Sequence, residues 1–328
     1  MRDKLRIIVG GLVGQYPLGG VAWDYFHYLL ALSELGHDVY YHEDTWTWPH
    51  HPVSNYPVDD PSYTLDFFKT FFARHAPQLA NKWCYVLLHD KHFGMSREAF
   101  SDVAKSADVY LNVSGACFLP DDLNPNARRV FLDSDPGYNQ VVLATKPEWS
   151  QHVDRWEDQV RRGHDVHLTY AENIGQPDCL VPTCDIDWVT TRPVVSLPAW
   201  ETSRRTDPPP TAPFTTVMTW NYFKGPVVWD GVEYFQKTVE FDKVRQLPSK
   251  TKASIELAVG SDRYDDDTFR DGGWRYVRGL PVSVTPDGYR DYITCRPRTY
   301  RQPPSRKVSS SYRSLPTASS MLALVLLG

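Results

Sequence analysis

The fold is decided near the start of the chain, by residues 5–44: LRIIVGGLVGQYPLGGVAWDYFHYLLALSELGHDVYYHED. Leu5–Val9 is a continuous apolar run, as expected of a parallel strand that is buried on both faces. Five glycines follow, and then Val21–Leu35 forms a helix with apolar residues nearly all round, which predicts burial. Gly36 suits the end of that helix, and Val39–His42 forms a second strand. This order requires a right-handed parallel crossover, the opening unit of a Rossmann-like α/β domain.

The rest of the chain predicts two Rossmann-like domains. Strand-like and helix-like segments alternate over residues 5–190, which favours one doubly wound domain, placed at residues 1–200. Residues 201–213 (ETSRRTDPPPTAP) are rich in proline and charge and are typical of a linker. A strand at Phe214–Trp220 and a helix at Val232–Val244 begin a second α/β domain, which we place at residues 214–293.

The last stretch, residues 294–328, differs in composition from everything before it. It holds no Asp or Glu, while Arg, Ser and Pro dominate. We expect a disordered or non-native tail, of the kind that a reading-frame shift produces. On this interpretation the C-terminal Rossmann-like domain is incomplete, because 214–293 is short for a domain.

Composition and charge narrow the classes of function. The net charge is -5, so the sequence does not suggest a general affinity for nucleic acid. The five cysteines form no CxxC pair, which favours free thiols in a reducing cytoplasm over a disulfide framework or a zinc site. No segment approaches the roughly 20 apolar residues that span a bilayer, so we expect a cytoplasmic protein with no stable membrane insertion.

The glycine-rich turn is the first candidate binding site. It lacks the GxGxxG pattern of dinucleotide-binding proteins, and Gly20-Val21 stands where a Walker loop has Lys-Ser/Thr. What remains is Gly19-Gly20 at the start of a helix, where free backbone N–H groups suit a phosphate or a hydroxyl-rich ligand. The alternative is a tight turn that needs glycine for a positive φ.

Polar groups at predicted strand ends are the next candidates. Asp133-Ser134-Asp135 ends a strand, and Asp133 and Asp135 are candidates for a catalytic or ligand-contacting role or for holding a divalent metal. A strand-ending turn is the alternative, and we assign no metal site. His89, in the loop after another strand, is a candidate general base, with a solvated loop as the alternative. Glu172 is likewise a candidate ligand-binding residue, with a solvated loop as the alternative. Lys237, near the start of a helix in the second domain, could neutralise a diphosphate, or could be a surface lysine.

These residues together resemble a known family. The strand, the glycine pair and a helix ending in Leu-x-x-x-Gly-His-x-Val, matched at Leu32–Val39, resemble the N-terminal domain of GT-B glycosyltransferases. A strand that ends in Trp220, followed by Lys-x-x-Glu-Phe at Lys237–Phe241, is similar to the C-terminal domain of bacterial glycosyltransferase-like proteins. The resemblance covers residues 5–293.

The resemblance implies a nucleotide-sugar donor on the C-terminal domain and a glycan, lipid or small-molecule acceptor on the N-terminal one, usually with no metal or other cofactor. By position, Gly19 and Gly20 would line the cleft between the domains, and Lys237 would lie near the diphosphate. The chain departs from the pattern late in the C-terminal domain, where the tail replaces a donor-binding acidic residue and a glycine-rich turn.

Three functions therefore stay open. The first is a GT-B-type glycosyltransferase, whose activity would depend on how complete its C-terminal domain is. The second is a non-catalytic nucleotide- or glycan-binding α/β protein, such as an inactive remnant. The third is a metal-dependent GT-A-type transferase that uses Asp133 and Asp135, although two α/β domains argue against a single-sheet enzyme.

Overall fold

The computed structural model describes residues 4–147, 157–201, 212–220, 226–234, 237–260 and 267–294. The chain divides into two units that alternate along the sequence. The first unit consists of residues 1–134, 154–170 and 186–199, and the second unit consists of the remaining segments. The segments 135–153 and 171–185 thus belong with the second unit, although they precede the predicted linker. The predicted domain limits at residues 200 and 214 stay a prediction.

An eight-stranded sheet forms the centre of the first unit, in the order β10-β9-β8-β7-β1-β2-β5-β6. Every neighbouring pair is parallel except β5 and β6, which form an antiparallel edge. A separate pair, β3 and β4, is also antiparallel. The strands of this unit are β1 (Arg6–Gly10), β2 (Asp38–Asp44), β3 (His50–His51), β4 (Tyr56–Pro57), β5 (Trp83–Leu87), β6 (Lys91–Gly94), β7 (Val109–Val113), β8 (Arg128–Asp133), β9 (Val166–Thr169) and β10 (Trp188–Thr190).

This strand order is that of a doubly wound Rossmann-like sheet. From β1 the chain adds strands on one side, through β2 to β5, and then crosses back to place β7 on the other side of β1. Ligands of such sheets bind outside the carboxyl ends of the strands, near the point where the order reverses. That point lies here between β1 and β7, so the fold class that the opening residues predict is confirmed.

Helices cover the sheet and supply most of the aromatic core. The helices that belong wholly to the first unit are α1 (Gly19–Glu34), α2 (Ser62–His75) and α3 (Arg97–Lys105). The next helix, α4 (Tyr138–Thr145), belongs to the second unit, and α5 (Pro198–Glu201) lies where the first unit ends. Phe26 of α1 lies 3.9 Å from Phe71 of α2, measured between ring centroids, and 5.5 Å from Tyr41 of β2. All three side chains are at most 1% exposed. The predicted buried helix is confirmed, and Gly36 takes a φ of 92° at its end.

The second unit contains a three-stranded parallel sheet in the order β11-β14-β15 and a separate hairpin of β12 and β13. Its core gathers Trp220, Phe241, Leu257, Phe269 and Trp274. The strands are β11 (Phe214–Met218), β12 (Val227–Trp229), β13 (Val232–Tyr234), β14 (Ile255–Val259) and β15 (Arg275–Arg278), and the helices are α6 (Lys237–Asp242), α7 (Asp267–Arg270), α8 (Gly279–Ser283) and α9 (Pro286–Thr294).

The helix predicted at Val232–Val244 is wrong in its first part. Val232–Tyr234 is a strand, and helix begins only at Lys237. Asp230 and Gly231 both have positive φ, 49° and 72°, which are the values of a two-residue hairpin turn that joins β12 to β13. The predicted linker falls largely on residues 202–211 and the predicted tail on 295–328, and both stretches lie outside the described residues.

Candidate functional site

The glycine-rich turn is held in place by a buried carboxylate of the neighbouring strand. Glu43 Oε2 accepts the backbone N–H of Gly14 at 2.6 Å, and Oε1 accepts that of Gln15 at 2.6 Å. The Tyr41 hydroxyl also donates to Glu43, at 2.6 Å. Burial raises the pKa of Glu43 to about 7, although these three donors act in the opposite direction. The turn is therefore tied to the end of β2.

The glycines of this turn serve close packing. A Cβ on Gly11 would lie 2.7 Å from the Tyr25 ring and 2.8 Å from that of Tyr41. Gly19 and Gly20 are the first two residues of α1. Neither is among the positive-φ glycines of the described residues, so the alternative of a turn that needs positive φ does not account for them. Their contact with a ligand stays a prediction.

A histidine–aspartate pair lies at the carboxyl edge of β2 and β5. Asp44 is the last residue of β2 and pairs in register with Val86 of β5. The chain leaves β5 through Leu88 and His89, whose φ angles of 53° and 61° turn it sharply back toward β6. His89 Nδ1 lies within hydrogen-bond and ion-pair distance of Asp44 Oδ2. Sharing Nδ1 with a carboxylate leaves Nε2 of His89 for other partners.

Asp44 is itself anchored from a second loop. Its backbone N–H donates to Cys117 Sγ at 3.3 Å, and its carbonyl oxygen accepts the Phe118 N–H at 2.8 Å. Burial raises the pKa of Asp44, while the neighbouring His89 lowers it. Within the described part of the chain, the second carboxylate oxygen, Oδ1, has no hydrogen-bond partner. The pair is thus fixed by three segments of the first unit: the ends of β2 and β5 and the loop after β7.

The pair borders a cavity of about 670 Å³. His42 forms part of its wall, where it stacks on Phe100 at 4.6 Å and shares a hydrogen bond of 2.8 Å with the Tyr110 hydroxyl. Burial lowers the pKa of His42 to about 3, so this ring is neutral at physiological pH. The lining residues are His42, Asp44, Val86, His89, His92, Arg97, Glu98, Phe100, Ser101, Phe118, Leu119, Pro120, Asp121 and Asp122.

The crevice between β1 and β7 is packed at its base. Cys117 Sγ lies 3.1 Å from the carbonyl oxygen of Gly11, and burial raises the pKa of this thiol. The Tyr25 hydroxyl and Ser114 Oγ share a hydrogen bond of 2.7 Å. The Cys117 thiol is therefore protonated and has a structural role, and the open space along this edge lies beside β2 and β5.

The two aspartates of the Asp-Ser-Asp motif lie in different units. Asp133 is 1% exposed at the end of β8 and accepts a hydrogen bond of 3.0 Å from Thr169 Oγ1, whereas Asp135 belongs to the second unit. Among the described residues there is no group of His, Cys, Asp and Glu side chains that could hold a metal ion. Asp133 thus braces β8 against β9.

The other predicted site residues belong to the second unit. Glu172 is exposed in the turn after β9, and Lys237 is the first residue of the six-residue helix α6. The side chain of Lys237 is outside the described residues. Of the predicted set, Gly19, Gly20, His89 and Asp133 share the first unit, and His89 alone lines the cavity.

Comparison with known proteins finds resemblance only among solved structures. No protein-family model and no curated protein matches the chain. An alpha-glucosyltransferase in complex with UDP and a 13-mer DNA containing a HMU base aligns with a TM-score of 0.45 and 12% identity, over 84% of this chain and 62% of that one. An alpha-glucosyltransferase (AGT) in complex with UDP aligns with a TM-score of 0.42 and 12% identity, over 79% and 60%.

This chain thus spans less than two thirds of the length of either structure. The expectation that this chain binds no nucleic acid stays a prediction. In the described residues, no helix is both long and apolar enough to cross a bilayer.

Proposed function

We propose that the chain is a glycosyltransferase that uses a nucleotide-sugar donor, with the cavity of the first unit as its acceptor site and His89 as its general base. The observation that carries this proposal is the His89–Asp44 pair on the wall of that cavity. Its position fits the resemblance in the N-terminal sequence, which implies an acceptor on the N-terminal domain. The carboxyl edge of a Rossmann-like sheet is also where such folds bind ligands.

The proposed chemistry follows from the pairing. His89 takes the proton of an acceptor hydroxyl through Nε2, and the hydroxyl oxygen bonds to the anomeric carbon as the bond to the nucleoside diphosphate breaks. Asp44 holds the ring by Nδ1 and stabilises the imidazolium that forms. The diphosphate leaves with the electrons of the broken bond. A base of this kind contributes about 10²- to 10⁴-fold to the rate.

The donor half of the proposal rests on the resemblance and on the parallel sheet of the second unit. The family pattern assigns the nucleotide-sugar to the C-terminal domain, with Lys237 near the diphosphate, and Gly19 and Gly20 stay proposed ligand-binding residues. Glu172 stays a proposed ligand-binding residue. The proposal needs no metal ion, because positively charged or N–H groups can neutralise a leaving diphosphate.

Nucleoside diphosphate release tests the proposal directly. The full chain is incubated with UDP-, GDP- and ADP-sugars, with and without a panel of sugar acceptors. We expect release that depends on both a donor and an acceptor, and a fall of about 10²-fold or more in Asp44→Asn because the base loses its charged partner. The matched control is Asp271→Asn, which removes an exposed carboxylate of the second unit.

Two outcomes would contradict the proposal. Saturable binding of a nucleotide-sugar without turnover would favour the non-catalytic binding protein instead. Turnover that is the same in Asp44→Asn and in the wild type would show that the chemistry lies elsewhere.

A further inference from the structure

The His89 imidazole lies in contact with two other aromatic rings. Its centroid is 4.6 Å from that of Phe118, which it meets edge to face, and 5.1 Å from that of Trp46. Trp46 and Phe118 also meet each other edge to face, at 6.1 Å. Each of the three rings therefore contacts the other two, and the imidazole is flanked by two rings in addition to the Asp44 carboxylate.

The backbones of both flanking residues are tied to the residue that holds the base. Asp44 accepts the backbone N–H of Trp46 on its carboxylate. Its carbonyl oxygen accepts the backbone N–H of Phe118 at 2.8 Å. A single buried residue thus pairs with the imidazole and also places the two rings beside it.

Trp46 has a backbone conformation that a bulky residue rarely adopts. Its φ is 55°, in the left-handed region that favours glycine, asparagine and aspartate. The hydroxyl groups of Thr45 and Thr47, on either side of it, share a hydrogen bond of 2.9 Å. Strain of this kind persists only where the surrounding structure imposes it, and it is concentrated at functional sites. The strained turn after β2 therefore points to a role for the residue that it carries.

The surroundings of Trp46 indicate what kind of role this is. The residue is 54% exposed, so core packing does not account for its position. Among the described residues, His89 and Phe118 line the cavity and Trp46 does not. The Trp46 ring therefore contacts the base and not an occupant of the cavity, and any effect on the reaction passes through His89.

We propose that Trp46 is a positioning residue, whose ring holds the His89 imidazole with Nδ1 toward Asp44 and Nε2 available to the acceptor hydroxyl. This inference rests on the proposed function, in which His89 is the base. The torsion that turns an imidazole about its Cβ–Cγ bond is soft, and the hydrogen bond at one nitrogen sets which nitrogen carries the proton. Rings packed against the imidazole restrict that rotation and so keep the base aimed at the proton it takes.

Nitrogen NMR of the histidine rings tests this inference without requiring turnover. Spectra of the isotope-labelled full chain are recorded at about pH 9, where imidazole rings are neutral and each ring nitrogen reports whether it carries the proton. The His89 signals are identified by their loss in His89→Gln. We expect one tautomer in the wild type, with the proton on Nδ1, and a mixture of both tautomers in Trp46→Ala, because the ring is then free to rotate.

Two further variants and one internal reference locate the effect. Trp46→Phe keeps an aromatic ring and should keep the single tautomer. Trp48→Ala removes a second tryptophan of the same loop, which is 41% exposed and has no ring contact with His89 in the described structure, and should change nothing. The His42 signals should be the same in every variant, because groups other than Trp46 hold that ring in the cavity wall.

Kinetics supply the second readout. Where the wild type releases nucleoside diphosphate, Trp46→Ala should lower kcat about 10- to 100-fold, which is part of the contribution of a general base. KM should stay within about twofold, because the lost ring contacts the base and not the acceptor.

The results separate this inference from the proposed function. An unchanged tautomer in Trp46→Ala would overturn the inference, as would mixed tautomers with an unchanged kcat. The same loss of the single tautomer in Trp48→Ala, or altered His42 signals in Trp46→Ala, would overturn it as well. Loss of the single tautomer only in Trp46→Ala, with no release from any donor by the wild type, would uphold the role of Trp46 in holding the ring and count against the transferase.

Discussion

At the scale of the residue, Glu43 is a buried carboxyl group that accepts hydrogen bonds from three donors. Its pKa is raised from 4.5 to about 7, so the folded protein keeps a proton on Glu43 over a pH range in which the unfolded chain has lost it. The unfolded state then binds fewer protons, and the free energy of unfolding falls as the pH rises from 4.5 toward 7. The loss amounts to about 3 kcal/mol and levels off at higher pH.

Glu43→Gln tests this assignment. At about pH 5 we expect the variant to be less stable by about 1–3 kcal/mol, because the amide NH₂ faces a backbone N–H that the carboxyl oxygen accepted. By about pH 8 the deficit should vanish or reverse, since only the wild type carries a buried charge there. The measurement is urea denaturation at both pH values, with Glu201→Gln on the surface as the control. A deficit that grows with pH would show that the pKa is lowered instead.

Gly11 offers a second prediction at this scale. In Gly11→Ala the new methyl group would lie within 2.8 Å of two tyrosine rings that are at most 1% exposed. We expect a loss of about 1–3 kcal/mol in the free energy of unfolding, because buried rings have no free space to move into. Gly260→Ala is the control, since its nearest atom would be at an ordinary 3.7 Å. Equal stability of Gly11→Ala and the wild type would mean that the turn adapts.

At the scale of the element, the start of α3 forms part of the cavity wall, because Arg97 and Glu98 line the cavity and directly follow the cap residue of the helix. Ser96 Oγ accepts the Ala99 N–H at 3.2 Å. Ser96→Ala should lower the free energy of unfolding by about 1 kcal/mol, as loss of a helix cap does. The control is Ser33→Ala within α1, which removes no cap. Similar values for both variants, measured by denaturant titration, would contradict the role of Ser96.

The elements also show how far the sequence predicts this structure. Leu5–Val9, the buried helix and Gly36 are local patterns, and the structure confirms the unit they predict. The sequence at Val232–Val244 predicts helix where the structure begins with β13, because the decisive signal for the hairpin is the Asp230-Gly231 turn, which is two residues long. His89 could be singled out as a base from its place after a strand. Its partner could not, because Asp44 lies 45 residues earlier and meets it only when β2 and β5 are neighbours.

At the scale of the whole molecule, the described units account for different halves of the proposed reaction. The first supplies a cavity and a paired histidine, while the second supplies a smaller parallel sheet with its own aromatic core. The position of the donor, the limits of the domains and an incomplete C-terminal domain stay predictions. These three features depend on contacts between segments that are distant in the sequence, and the position of the donor also depends on side chains such as that of Lys237. Local sequence patterns do not determine such contacts.

The central claim is that His89 acts as the base, and two histidines of one cavity allow a matched comparison. His92 also lines the cavity, but its Nδ1 lies 3.1 Å from the carbonyl oxygen of Asp90 and not against a carboxylate. The measurement is kcat/KM for nucleoside diphosphate release in His89→Ala and in His92→Ala, with the donor and acceptor that support release in the wild type. We expect a fall of about 10²- to 10⁴-fold in His89→Ala and less than about tenfold in His92→Ala. Equal values for the two variants would contradict the claim.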